Sequence, residues 1–158
     1  MASVRLRPLR ENEWSTFVDH SKRQYAADMV ANAGFPEEFA REKAERDFVR
    51  TLPEGLTTEG HHIFVVEDGE TGEPIGRVWF ARRDVFGEEG AFVYDVQIEE
   101  RLRGRGLGRA AMLALENEVR SQGLSRIALN VFGGNEVARG LYRSLGYAET
   151  AIWMSKGI

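Results

Sequence analysis

The chain has 158 residues, a formal net charge of -4 and no cysteine, so residues 1–158 are read as one domain large enough to bury a core without cross-links. The missing cysteines exclude disulfide scaffolds, thiolate metal sites and cysteine nucleophiles, and the acidic balance argues against a nucleic-acid partner. The start of the chain lacks the apolar stretch of a secretion signal and no run reaches the ~20 apolar residues of a membrane span, so a cytoplasmic protein with no membrane partner is expected.

Val4-Arg5-Leu6-Arg7-Pro8-Leu9 alternates apolar and charged residues, which predicts a first strand. From Glu11 to Ala31 the apolar spacing becomes helical, until Gly34 interrupts it. Pro36 then opens a second helix through Phe39, Ala44, Phe48 and Leu52. Three strands follow, around Ile63–Val66, from Pro74 to Arg83 and from Ala91 to Ile98, separated by turn-rich stretches, as in an antiparallel meander. A glycine-rich run from Arg103 to Gly108 leads into a helix through Ala111, Leu115 and Val119, ended by Gly123. Ile127, Leu129 and Val131 alternate on another strand. Asn135 then caps a short helix through Ala138, Leu141, Tyr142 and Leu145, with Gly146 as terminator. Tyr147 to Lys156 reads as a last strand. The fold class is mixed α/β, in the order β-α-α-β-β-β-α-β-α-β.

The run Arg103-Gly104-Arg105-Gly106-Leu107-Gly108-Arg109 carries the clearest chemistry. A strand delivers the chain to a turn that opens directly into a helix, leaving unpaired N–H groups at the positive end of the helix dipole. Such a turn suits phosphate oxygens, and its glycines let a ligand approach the backbone without a Cβ in the way. A P-loop needs Lys followed by Ser or Thr after its last glycine, and Arg109-Ala110 stands there instead. The dinucleotide fingerprint spaces its glycines differently and sits in a parallel βαβ unit. A flexible solvated turn remains the plain alternative.

Taken with the downstream run Asn135, Ala138, Leu141, Tyr142, Gly146 and Tyr147, this segment resembles the GNAT superfamily of N-acetyltransferases, in the bacterial single-domain form. Arg103, Gly106 and Gly108 match the cofactor motif, and Met154-Ser155-Lys156 looks like the last strand of many members. The resemblance implies acetyl-CoA as co-substrate and direct transfer of the acetyl group to a primary amine. It implies that Val96, Gln97 and Ile98 offer backbone groups to the pantetheine arm, in the manner of an added strand. The N–H of Ile98 or Val96 is then expected to polarise the thioester carbonyl. Backbone amides from Arg103 to Gly108, with Arg109, are expected around the pyrophosphate, and Asn135, Ala138 and Tyr142 along the pantetheine. Tyr142 is the expected general acid toward the leaving sulfur.

The general base is less determined. Asp95 is the one carboxylate within its strand and is the candidate, although alternation sets it opposite Tyr94 and Val96 unless a bulge intervenes. Asn130 stands where some relatives carry a glutamate, Glu88 and Glu89 lie in the preceding turn, and a water relay needs no single base. His61 and His62 are adjacent on a strand and point opposite ways, no third ligand is evident, and no metal is expected. The acceptor, a small molecule or a peptide, is expected between the first helices and the central strands, with Tyr25, Met29, Phe35, Phe39 and Trp79 as walls. The acids Glu37, Glu38, Glu42, Glu45 and Asp47 suit a cationic acceptor, or simply a solvated helix face balanced by Arg41, Lys43, Arg46 and Arg50. Members of the superfamily commonly dimerise, so a homodimer is compatible with the resemblance. The alternative to an enzyme is a catalytically silent acetyl-CoA-binding sensor.

Overall fold

The computed structural model describes residues 2–158. Strand β1 (Val4–Pro8) leads through a single 3-10 turn into α1 (Trp14–Ala33), and α2 (Glu37–Thr51) runs back along it. Gly34 ends α1 in the left-handed conformation, at φ 69°, where a residue with a Cβ is strained. Pro36 caps α2 with its carbonyl, which accepts the Ala40 N–H at 2.9 Å.

Strands β2 (His61–Asp68), β3 (Pro74–Val85) and β4 (Glu88–Ile98) form the antiparallel meander, with β1 pairing β2 at one edge. Helix α3 (Leu107–Ser121) then crosses over to β5 (Ile127–Leu129), which pairs parallel with β4, and α4 (Glu136–Ser144) follows. The sheet order is β1-β2-β3-β4-β5.

Strand alternation sorts the core into two layers. Phe64, Val66, Val78 and Phe80 face α3 and meet Ala111, Leu115 and Val119. Ile63 and Trp79 face the other way and meet Phe17 of α1 and Phe48 of α2. Burying each of these large side chains contributes about 1.5–3 kcal/mol, and both helix layers are thereby fixed on the sheet.

The sequence reading of the last strand fails. Residues 148–158 form no helix or strand and pair with no other strand. Gly146 (φ 93°) still ends α4 as expected, with the Tyr147 N–H returning to the Tyr142 carbonyl at 3.0 Å. Beyond it Glu149 pairs with Arg139 and Arg143 of α4, and the chain then leads away from its own sheet.

Candidate active site

Two departures from regular pairing create the site. Strand β5 pairs with β4 only over Ala91–Val93, so the edge of β4 from Tyr94 to Ile98 has no strand on the α4 side. Within the β3–β4 ladder Trp79 opposes Asp95 while Phe80 opposes Val93, which leaves Tyr94 as the extra residue of a bulge. The bulge breaks the alternation between Tyr94 and Asp95 and sets both toward α1, while the Val96 side chain packs on the α3 side. Tyr94, Asp95 and Val96 all reach one cavity of about 560 Å³.

That cavity lies between the inner face of α1, the α2 side chains near Asp47, the open part of β4 and the inner face of α4. A second depression of about 530 Å³ lies between α1 and α2, lined by residues such as Asp19, Arg41 and Glu45. It contains nothing from β4 or α4 and none of the motif residues.

Asp95 is anchored on one side only. Its Oδ2 accepts from Arg77 Nε at 2.7 Å and from Ser21 Oγ at 3.2 Å, while Oδ1 has no donor among the described residues. Its carboxylate is 15% exposed and lines the cavity. Burial pushes its pKa above the ordinary carboxylate value, and the charge and hydrogen bond of Arg77 only partly oppose that. Arg77 keeps Nη2 buried and without a partner, so its positive charge depends on Asp95 for compensation.

Tyr142 enters from α4. Its hydroxyl has no hydrogen-bond partner among the described residues, and burial, together with the charge of Asp95, raises its pKa. The phenol therefore stays protonated at neutral pH. Ala138 and Asn135 sit one and two turns earlier on the same helix face and line the same cavity. Asn135 Oδ1 caps α4 by accepting the Ala138 N–H at 3.2 Å, which leaves its Nδ2 unused by the protein.

The glycine-rich turn has the expected shape. Gly104 and Gly106 adopt φ of 77° and 79°, and a Cβ at Gly104 would project into open space. The first hydrogen bond into α3 runs from the Ala110 N–H to the Gly106 carbonyl at 3.0 Å, so the N–H groups of Leu107, Gly108 and Arg109 precede it. The arginines divide the work. Arg103 turns back on the strand end, donating to the Ile98 carbonyl at 3.1 Å and to Gln97 Oε1 at 3.3 Å. Arg109 donates to Ser144 Oγ at 2.9 Å and ties α3 to α4. Arg105 makes no ion pair among the described residues and is the cation left for a ligand.

Comparison with known proteins gives the family. Residues 13–147 match the model of the acetyltransferase (GNAT) family. The chain belongs to that family. It is 30% identical over 154 residues to the uncharacterised N-acetyltransferase YycN of Bacillus subtilis, spanning 98% of both chains, and 31% identical to YdgE of the same organism over 96% of both. The crystal structure of YycN superposes with a TM-score of 0.91 over 99% of each chain. An acetyltransferase of Clostridium acetobutylicum crystallised with acetyl-CoA shares the fold, with a TM-score of 0.67 at 18% identity over 98% of this chain and 96% of that one.

Not every residue expected at the GNAT acceptor site lies there. Tyr25 and Trp79 line the cavity. Met29 is 0% exposed, sealed between Ala40 and Ala44, because α1 and α2 cross closely at these small residues. Phe35 packs edge-to-face on Phe39 at 5.4 Å, away from the cavity. Glu88 and Glu89 pair with Arg126 and Arg82 at the far end of β4, so neither reaches in. Of the α2 acids only Asp47 lines the cavity, held by Lys43 at 2.7 Å and Arg50 at 2.9 Å and accepting from the Tyr25 hydroxyl at 2.9 Å. His61 Nδ1 accepts the Trp79 indole N–H at 2.9 Å, and His62 stacks on Phe80 on the opposite face. Among the described residues no group of three or more His, Asp or Glu is arranged to hold a metal. No helix of the described residues is long and apolar enough to cross a membrane.

The residues that sequence reasoning missed are Ser21, Gln24 and Asp28 on α1, with Arg83, Phe92 and Phe132 around them. Ser21, Gln24, Tyr25 and Asp28 are spaced as one face of a helix. A polar stripe on the inward side of a packed helix was the available signal.

Proposed function

We propose that this chain transfers an acetyl group from acetyl-CoA to a primary amine bound beside Asp95, by direct attack with both substrates in place. The observation that supports it most is the pairing in one cavity of a half-anchored carboxylate, Asp95, with a partnerless phenol, Tyr142, beside an unpaired strand edge.

The residues present suit acetyl-CoA. The open edge of β4 from Val96 to Ile98 offers N–H and C=O groups to the amide-bearing pantetheine arm, and Asn135 Nδ2 offers another donor. The Cβ-free turn at Gly104 and Gly106, the free N–H groups of Leu107, Gly108 and Arg109, and the charge of Arg105 suit a pyrophosphate. Bound there, the coenzyme supplies an acyl group on a good leaving thiolate.

The rest belongs to the protein. Asp95 Oδ1 takes a proton from the acceptor ammonium, directly or through one water, and its raised pKa improves its match to that task near neutral pH. The N–H of Val96 or Ile98 faces the carbonyl oxygen as that oxygen gains charge. Tyr142 delivers its hydroxyl proton to the departing sulfur. Asp28, which accepts from the Gln24 amide at 2.9 Å and meets no cation among the described residues, adds negative potential on the acceptor side and favours a protonated amine.

The test is release of coenzyme A thiol from acetyl-CoA across a panel of amino acids, peptides, polyamines and aminoglycosides. The chain has no cysteine and so gives no thiol background. Release dependent on one class of amine is expected. Tight acetyl-CoA binding with no release for any amine would turn the reading to a silent coenzyme sensor.

A further inference from the structure

Resting on the transfer reaction proposed above, which sets the amine at Asp95, we infer that the acceptor also carries a carboxylate about 7–10 Å away, held by Arg83 at the exposed end of the cavity. Strand β4 orders the site along its length. The glycine-rich turn follows Ile98, so the coenzyme as proposed approaches Asp95 from that end of the strand. The other direction leads from Asp95 to Tyr94 and Phe92, on one face, and then to the level of Gly90, which Arg83 opposes. Tyr94 stacks on Trp79 with ring centroids 4.7 Å apart, and Phe92 meets Tyr94 edge-on at 4.9 Å. All three rings line the cavity and give it an apolar floor on the side away from the coenzyme. The body of the acceptor lies over that floor, and Arg83 waits at its end.

The register sets the span. Trp79 opposes Asp95 and Ala81 opposes Phe92, a step of two residues of β3, or about 7 Å. Arg83 stands two residues further on, but its side chain leans back. Its guanidinium carbon lies 4.6 Å from the centre of the Phe92 ring, and Nη1 donates to Tyr94 Oη at 3.2 Å. Asp95 leans the other way, toward Arg77, which opposes Gln97. Carboxylate and guanidinium are thereby separated by about 7–10 Å along the strand.

Arg83 is the uncompensated cation of this cavity. Lys43 and Arg50 also line it, and both are paired with Asp47. Arg83 forms no ion pair among the described residues, and the acids around it are engaged elsewhere. Glu88 is paired with Arg126, Glu89 with Arg82, and Asp84 Oδ1 accepts the Gly87 N–H at 3.1 Å. Its charge reaches His61, whose pKa is lowered by burial and then by the charges of His62 and Arg83. A guanidinium stacked on a ring and bonded once keeps its other donors for a planar anion. The cavity is thus divided, with Asp95 and Asp28 on the amine side and Arg83 across the aromatic floor. Acetylation turns the ammonium into a neutral amide, so the product meets Asp28 as a net anion, which favours its release.

The experiment measures kcat/KM for thiol release with ε-aminocaproate, hexylamine and glycine, in the wild type, Arg83→Gln and Arg83→Lys. The nitrogen and carboxylate carbon of extended ε-aminocaproate are roughly 7–8 Å apart, hexylamine lacks the anion, and glycine is too short to span. The wild type is expected to favour ε-aminocaproate over each of the others by at least about tenfold, the worth of one charge-assisted hydrogen bond. Arg83→Gln is expected to bring the ratio to hexylamine near one, and Arg83→Lys to restore part of it. Arg83 is exposed, so neither substitution disturbs the core. A wild type that uses hexylamine or glycine equally well overturns the carboxylate subsite and leaves the transferase standing. So does an Arg83→Gln protein that loses rate for both long amines alike, since Arg83 then only braces Tyr94. No thiol release from any of these amines, with ε-aminocaproate binding calorimetrically to the wild type and not to Arg83→Gln, keeps the subsite and overturns the transfer reaction.

Discussion

The Arg77–Asp95 pair allows the structural and chemical roles of Asp95 to be separated. The two side chains are mostly buried, with Arg77 Nε 2.7 Å from Asp95 Oδ2, and the buried Nη2 of Arg77 has no partner among the described residues. Removing one member of a buried pair strands the other and costs about 3–5 kcal/mol. We predict that Asp95→Asn, which keeps volume and an acceptor oxygen, destabilises by about 3 kcal/mol, a fall of roughly 10 °C in Tm for a chain of this size. Arg77→Met is expected to cost somewhat less, because Asp95 can escape its exposure to low dielectric by taking up a proton. The double variant leaves no stranded charge, so about 2 kcal/mol returns as coupling in a double-mutant cycle. Activity is expected to behave differently. Asp95→Asn should lower kcat by ~100-fold or more, and the double variant should be no better. Arg77→Met should retain turnover at high pH with its acid limb moved upward, since the charge that holds the Asp95 pKa down has gone. Thermal melts and kcat–pH profiles of the four proteins decide it. Turnover that returns together with stability in the double variant would show that Asp95 acts only as a strut, and would refute the base assignment.

Three further outcomes are expected. Tyr142→Phe should lower kcat by roughly 100-fold while leaving acetyl-CoA affinity within about twofold, since the hydroxyl holds no protein partner to lose. Unchanged turnover, with chemistry shown to limit the rate, would remove Tyr142 as the acid. Gly106→Val should cost about 1–2 kcal/mol of stability from φ 79° alone and weaken acetyl-CoA binding at least tenfold, as read by calorimetry on folded protein. Undiminished affinity would mean that the coenzyme phosphates lie elsewhere. Glu13, held by Arg7 at 2.9 and 3.1 Å, has its pKa lowered from 4.5 to about 2. Its contribution is therefore full above pH 4.5 and lost as the pH falls toward 2, so denaturation of Glu13→Gln should converge on the wild type in that window. A difference that persists unchanged below it would assign the effect to packing instead of charge.

Much of the fold was legible because its elements announce their own ends. Gly34, Gly123 and Gly146 each sit at positive φ where a helical pattern stops, and Asn135 caps where one begins. The glycine-rich turn was legible for a related reason. A phosphate cradle made of backbone needs glycines and a helix start, and both are local in sequence. The last strand was misread because alternation records only that a segment is fit to pair. Residues 148–158 pair with no strand of the described residues, and Glu149 is paired instead with Arg139 and Arg143 of α4, a placement that no local pattern records.

The acceptor side is where sequence periodicity misleads, and the cause is physical. Met29 looks like a pocket wall because it is large and apolar on the right helix, but the small residues Ala40 and Ala44 opposite it draw α2 close and seal it. The face of α1 that does meet the cavity carries Ser21, Gln24 and Asp28, which read as solvent-facing in any amphipathic scheme. Strand β4 repeats the point: the extra residue Tyr94 sets Asp95 on the same face as Tyr94, toward α1, against the period of two. A site that handles a charged amine, as proposed for this cavity, needs polar groups facing inward, so it breaks the hydrophobic pattern wherever it touches an element. The fold tolerates these breaks because the opposite layer, where Val66, Val78 and Phe80 meet Ala111, Leu115 and Val119 of α3, keeps a continuous apolar cluster. Substitutions in that layer should therefore lower stability with kcat/KM intact in the folded fraction, whereas those at Ser21 or Asp28 should change kcat/KM with little effect on Tm. Paired melts and initial rates for Val78→Ala and Asp28→Asn test this division, and a Val78→Ala protein that melts like the wild type would refute it.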